Sequence, residues 1–162
     1  MPSESELRLH RCCFTGHRSE KLRQTEEQVI AALEESIRAA IADGYTTFIS
    51  GMARGVDIWA TKIVLQLRDS RMPITLICAS PYDGFETKWK EEWQNRYKTV
   101  MDQADLVRFI CKGYSRRYFQ VRNEWMVDHS SRVIAVYNGE PRGTQNTIEY
   151  ARQKEIPTFL ID

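Results

Sequence analysis

Six short runs rich in β-branched and aromatic residues, separated by stretches of helical periodicity, constrain this chain more than any other feature. LRLHRCCF (7–14), YTTFIS (45–50), ITLICAS (74–80), LVRFIC (106–111), RVIAVY (132–137) and TFLI (158–161) each read as a strand. Between the first two, Thr25 and Gln28 form a capping-box pattern. Val29, Ile30, Leu33, Ile37, Ala40 and Ile41 then recur on one helical face until Gly44. From Val56, the spacing of Ala60, Ile63, Val64 and Leu67 is again helical. Phe85, Trp89, Trp93 and Tyr97 fall four apart and predict a long helix with a buried aromatic stripe, and two further helices are predicted near 118–129 and 144–154. Strands that alternate with helices need crossovers, which parallel pairing requires. The expected fold is therefore α/β, a Rossmann-like three-layer arrangement around a mainly parallel sheet of about six strands. With 162 residues, one domain spanning 1–162 is expected.

Charge limits the choice of partners. The 23 basic and 22 acidic residues leave a net charge of +1, too little for a broad cationic field. Lys112, Arg116, Arg117 and Arg122 gather near Tyr114, Tyr118 and Trp125, so single-stranded nucleic acid would bind weakly and with strong salt sensitivity; a solvated basic helix face explains Arg116 and Arg117 equally well. Cys12, Cys13, Cys78 and Cys111 sit in strand-like runs without C-x-x-C spacing, which favours buried free thiols over a zinc site or disulfides. His10 and His129 show no metal-ligand spacing, and neither a metal nor a cofactor is expected. MPSESELRLHR lacks the apolar region of a signal peptide, and no run approaches spanning length. A cytoplasmic protein without a membrane partner is expected, with homo-oligomerisation.

In open α/β sheets, ligands bind beyond the carboxyl ends of the strands where strand order reverses. Three turns of unusual composition fall at such ends. Thr15-Gly16-His17-Arg18 follows the first strand, and Ser50-Gly51-Met52-Ala53-Arg54-Gly55 follows the second, with Asp57 just inside the next helix. Asn138-Gly139-Glu140-Pro141-Arg142-Gly143-Thr144 follows the fifth. Glycines there let backbone N–H groups approach a ligand, and a helix start favours an anion. A tight turn with Gly55 packed on the sheet, and Asp57 complementing the helix dipole for about 0.3–1 kcal/mol, accounts for the same residues. Likewise Thr144 serves as a simple N-cap. Neither G-x-x-x-x-G-K-[ST] nor G-x-G-x-x-G occurs at these turns, which disfavours ATP hydrolysis and NAD chemistry. Arg122, among apolar Val121, Trp125 and Met126, is the strongest charged candidate. Tyr82, just past the third strand, is placed to stack a base.

CCFTGHR, SGMARGVDIWA and VRNEWMVDHSSRVIAVYNGEPRGTQNTIEYA together resemble the bacterial SLOG superfamily, especially its small cell-division-associated branch, from about Cys12 to Ile161. That resemblance implies a Rossmann-like domain that binds a nucleotide or nucleotide-derived ligand at the glycine turns, as a sensor or regulatory module. SGMARGVD is similar to a segment of the DNA-processing protein of natural transformation, which implies single-stranded DNA binding. Arg122, Met126 and the later Gly143-Thr144 pair are similar to the Lonely Guy phosphoribohydrolases, which implies cleavage of a nucleotide N-glycosidic bond. In the hydrolase pattern a glutamate falls where this chain has Thr147, and Glu149 comes two residues later, about 200° further round a helix. Arg142 stands where the family often has a second glycine. The ligand-binding expectation thus rests on Thr15, Gly16, His17, Arg18, Ser50, Gly51, Arg54, Gly55, Asp57, Tyr82, Arg122, Gly143, Thr144 and Thr147. The N-glycosidase and nucleic-acid or protein adaptor alternatives remain open.

Overall fold

Parallel pairing joins every neighbouring pair of strands in a six-stranded sheet of order β4-β3-β2-β1-β5-β6. The computed structural model describes residues 2–18, 22–113, 116–141 and 143–161. The strands are β1 (Arg11–Gly16), β2 (Thr47–Ser50), β3 (Thr75–Ser80), β4 (Leu106–Phe109), β5 (Arg132–Val136) and β6 (Thr158–Ile161). The helices are α1 (Glu4–Arg8), α2 (Glu26–Ala42), α3 (Val56–Asp69), α4 (Glu91–Gln103), α5 (Tyr118–Asp128) and α6 (Gly143–Gln153). From β1 the chain steps outward through β2, β3 and β4, then returns to lay β5 on the other side of β1. Strand order therefore reverses between β1 and β5, which opens a crevice at their carboxyl ends.

Period-two alternation sorts the core into two layers. Cys12 and Phe14 of β1 pack with Val29, Leu33 and Ile37 of α2 and with Val56, Ala60 and Val64 of α3. Between them, Cys13 points to the other face, among Met126 and Val127 of α5 and Ile148 and Ala151 of α6. All these positions are buried, and burial, helped by the nearby Asp57 and Asp105 charges respectively, pushes the Cys13 and Cys78 thiols up to about 12, which leaves them inert at neutral pH. The Thr25–Gln28 capping box forms reciprocally: Gln28 N–H donates to Thr25 Oγ1 at 3.2 Å and Thr25 N–H to Gln28 Oε1 at 3.0 Å.

Three local expectations need correction. Leu7 and Arg8 belong to α1 rather than to the first strand, because Ser3 Oγ accepts the Glu6 N–H at 3.3 Å and acidic residues occupy the first turn. Phe85 and Trp89 are not helical. Gly84, at φ +88°, breaks the segment after β3, and α4 starts only at Glu91. Their rings nonetheless pack together, Phe85 on Trp89 at 5.0 Å and Trp89 on Tyr97 at 5.6 Å, so four-residue spacing arises across a turn as well as along a helix. Cys111 lies beyond the end of β4 and is half-buried.

Candidate functional site

The carboxyl end of β1 presses directly against the start of α3. A Cβ on Gly16 would stand 2.6 Å from Val56, so any side chain would force strand and helix apart. Next to it, the β2–α3 turn is wound by short hydrogen bonds. Ser50 Oγ donates to the Asp57 carbonyl at 3.0 Å and accepts the Met52 N–H at 3.2 Å, while Ala53 N–H donates to Asp57 Oδ2 at 3.2 Å. The two glycines of this turn do different work. Gly55, at φ 92°, takes a conformation that side chains disfavour and delivers the chain into α3. Gly51 instead leaves room, since a Cβ there would stand 2.9 Å from the Arg122 side chain.

Arg122 reaches this turn from α5 and is buried, at 4% exposure. Its guanidinium donates to the Gly51 carbonyl and, at 2.8 Å, to Asn123 Oδ1, and it lies 5.6 Å from the Phe119 ring centroid. Burial lowers its proton affinity, and the Asp57 charge raises it. Asp57 is buried too, at 5% exposure. Burial pushes its carboxyl up to about 6, against the pull of Arg122 and of the Ala53 N–H. Its second oxygen, Oδ1, is buried without a hydrogen-bond partner.

Across the crevice, Asn138 Oδ1 accepts the Glu140 N–H at 2.8 Å and holds the β5–α6 turn. Helix α6 opens at exposed Gly143 and buried Thr144, and Thr147 Oγ1 donates back to the Gly143 carbonyl at 2.9 Å. The first amides of a helix have no partner within it, so this end presents donors and a partial positive charge.

These turns enclose a cleft of about 390 Å³. Thr15, Gly16, His17, Arg18, Arg54, Asp57, Arg122, Gly143 and Thr144 line it, as the sequence placed them together. The remaining candidates stand behind the lining: Ser50, Gly51 and Gly55 shape the β2–α3 turn, and Thr147 ties down the start of α6. Tyr82 packs edge-on against Phe85 at 5.8 Å and Tyr118 at 5.0 Å, as part of the aromatic support. Arg142 and Tyr114 lie outside the described residues. Not foreseen were the aromatic wall made by Phe85, Trp89 and Phe119 and the lining by Asn123, whereas Glu140 and Pro141 enter as part of the third turn. The Asp83-Gly84 dipeptide, a turn signal, was the cue that the first two rings leave the helix. Arg54 caps this wall, 5.6 Å from the Trp89 centroid.

The surrounding loops polarise a nearly neutral chain. Arg18, Arg54, Lys88, Lys90, Lys112, Arg116 and Arg117 all follow strand ends on this edge of the sheet. Among the described residues no helix is long and apolar enough to cross a membrane.

The family model YpsA, described as the YspA SLOG family, matches residues 12–161. A UPF0398 protein of Lactobacillus acidophilus is 29% identical over 171 residues, covering 95% of this chain and 89% of the relative. A UPF0398 protein of Bacillus thuringiensis is 28% identical over 131 residues, covering 80% and 71%. Among solved structures, DNA processing protein A from Streptococcus pneumoniae superposes with a TM-score of 0.67 at 17% identity over 96% of this chain. This chain spans about half of that one, 51%. DNA processing protein A from Helicobacter pylori, described for its single-stranded DNA binding mode, gives 0.65 at 20% identity, covering 98% of this chain and 67% of the other. At these identities the likeness is one of fold.

Proposed function

The chain belongs to the YspA SLOG family, and from that premise we propose that its cleft binds a nucleotide or a nucleotide-derived small molecule, as a sensor or regulatory module. One observation carries this reading: at the point where strand order reverses, an open helix start and an aromatic wall face one another across a single cleft. The phosphate sits at the start of α6 and the β1 turn, where N–H donors and Arg18 favour an anion. The base lies against Trp89 and Phe119. Arg122 acts from beneath, holding Gly51 and Asn123 in place.

The same geometry argues against rapid cleavage of the glycosidic bond. Glu149 is exposed, pairs with Arg152 at 3.0 Å and does not line the cleft. Thr147, at the position of the hydrolase glutamate, spends its hydroxyl on the Gly143 carbonyl. An oxocarbenium-like transition state needs a carboxylate aimed at it. We therefore expect binding with very slow release of free base, and Glu149→Ala to leave both unchanged.

A single-stranded DNA adaptor is the second reading. It is favoured by the cationic loops and by Phe119, 45% exposed at the cleft mouth. With a net charge of +1, such binding is weak and fades with salt.

A thermal-shift panel of nucleoside mono- and diphosphates and a short oligodeoxynucleotide separates these readings, since a ligand selective for the folded state raises the melting temperature with concentration. The expected result is a shift with mononucleotides that Arg122→Ala abolishes. A shift with the oligonucleotide alone would favour the adaptor.

A further inference from the structure

The two ends of the cleft differ in chemistry, and sheet order fixes what lies between them. The aromatic wall comes from the segments after β3 and β4, and the anion-favouring turns come from the segments after β1 and β5. Strand β2 lies between β3 and β1, so Asp57, at the start of the helix that follows β2, stands in the middle. Its carboxylate is half satisfied: Ala53 N–H occupies Oδ2, and Oδ1 has no partner despite being buried. A buried carboxylate oxygen without a donor is costly, and folding alone gains nothing by keeping one. Arg122 acts on Asp57 through its charge, while its hydrogen bonds go to Gly51 and Asn123.

We propose that Asp57 is the specificity-determining residue of the cleft, accepting a hydrogen bond from a sugar hydroxyl and so selecting ribonucleotides over ligands whose sugar lacks hydroxyl groups. This rests on the nucleotide reading of the cleft. A ligand with its base on the wall and its phosphate at α6 brings its sugar to the position where Asp57 stands. There a ribose presents a cis-diol with two donors, and a dideoxyribose presents none. The carboxylate also sets polarity, because a phosphate placed over Asp57 would meet like charge, which directs the phosphate to the α6 end.

Isothermal titration calorimetry tests this with the four ribonucleoside 5′-monophosphates and their 2′,3′-dideoxy counterparts, on the wild type, Asp57→Asn and Asp57→Ala. Circular dichroism checks that each variant is folded. A hydrogen bond to a charged acceptor predicts that whichever nucleotide binds does so about tenfold or more tightly in its ribo form. In both Asp57 variants that ratio falls below about threefold, a change that damage to the turn alone would not produce, since it would weaken both forms equally. A wild-type ratio near one, or variants that keep the wild-type ratio, overturns the assignment of Asp57 while leaving the cleft reading intact. If no mononucleotide binds the wild type, the cleft reading itself falls.

Discussion

Helix α3 contributes to two concavities of opposite character. Its flank forms, with α4 and the start of α2, a groove of about 640 Å³ floored by Ile58, Trp59, Ile63 and Val100; its first turn contributes Asp57 to the smaller carboxyl-edge cleft of about 390 Å³. In the groove the charges stay at the rim, where Arg96 meets Glu92 at 2.8 Å and Glu26 at 3.6 Å, and each of these side chains is more than a third exposed. Such pairs contribute little to stability, about 0–1 kcal/mol each. In the cleft Asp57 and Arg122 are buried, and one carboxylate oxygen of Asp57 lacks a donor. Trp59 also buries an unpartnered indole N–H, but a neutral donor costs less than an ionised carboxylate. The larger space is what helix packing leaves behind. The smaller one keeps groups that destabilise the empty fold, a pattern typical of sites retained for binding.

Substitutions on the two sides should separate accordingly. The largest effect is expected at Gly16, where a Cβ would collide with Val56 beneath the cleft: Gly16→Ala should cost about 3 kcal/mol in denaturant unfolding. A small loss would mean that strand and helix shift apart freely.

Asp57→Asn should act in the opposite direction. The native carboxyl titrates at about 6, above its unfolded value near 3.8. For a raised carboxyl, stability is fully present below about pH 4 and is lost as pH rises through about 6. The variant and wild type should therefore unfold alike below pH 4, and the variant should be about 2–3 kcal/mol more stable above pH 7. A gap independent of pH would show that Asp57 is not ionised at such a cost.

Smallest is the groove: Lys62→Ala, on the exposed face of α3, should change stability by no more than about 0.5 kcal/mol and leave nucleotide affinity unaltered. A loss of affinity there would place the ligand on the wrong side of α3.

Much of the molecule was legible because its signals are local. Strand runs, the Thr25–Gln28 box and the glycine turns each act within a few residues, and parallel topology then gathers the turns at one edge. Helix α1 was not legible, because its last two residues, Leu7 and Arg8, also read as the start of the strand-like run that leads into β1. The aromatic wall was hidden because Phe85 and Trp89 keep helical spacing while Gly84 turns the chain. The partner of Arg122 lies 71 residues away at Gly51, and neither side chain nor turn announces that pairing in sequence. For the same reason the half-satisfied carboxylate of Asp57 emerged only from the folded geometry.

A chemical-shift map of the backbone amides during titration with a ribonucleoside monophosphate locates the ligand directly. Ligand in the carboxyl-edge cleft produces saturable shifts at residues 15–18, 53–57 and 143–144, and none at 62–69 or 95–103. Shifts confined to the α3–α4 groove, or none at millimolar nucleotide, would contradict that placement.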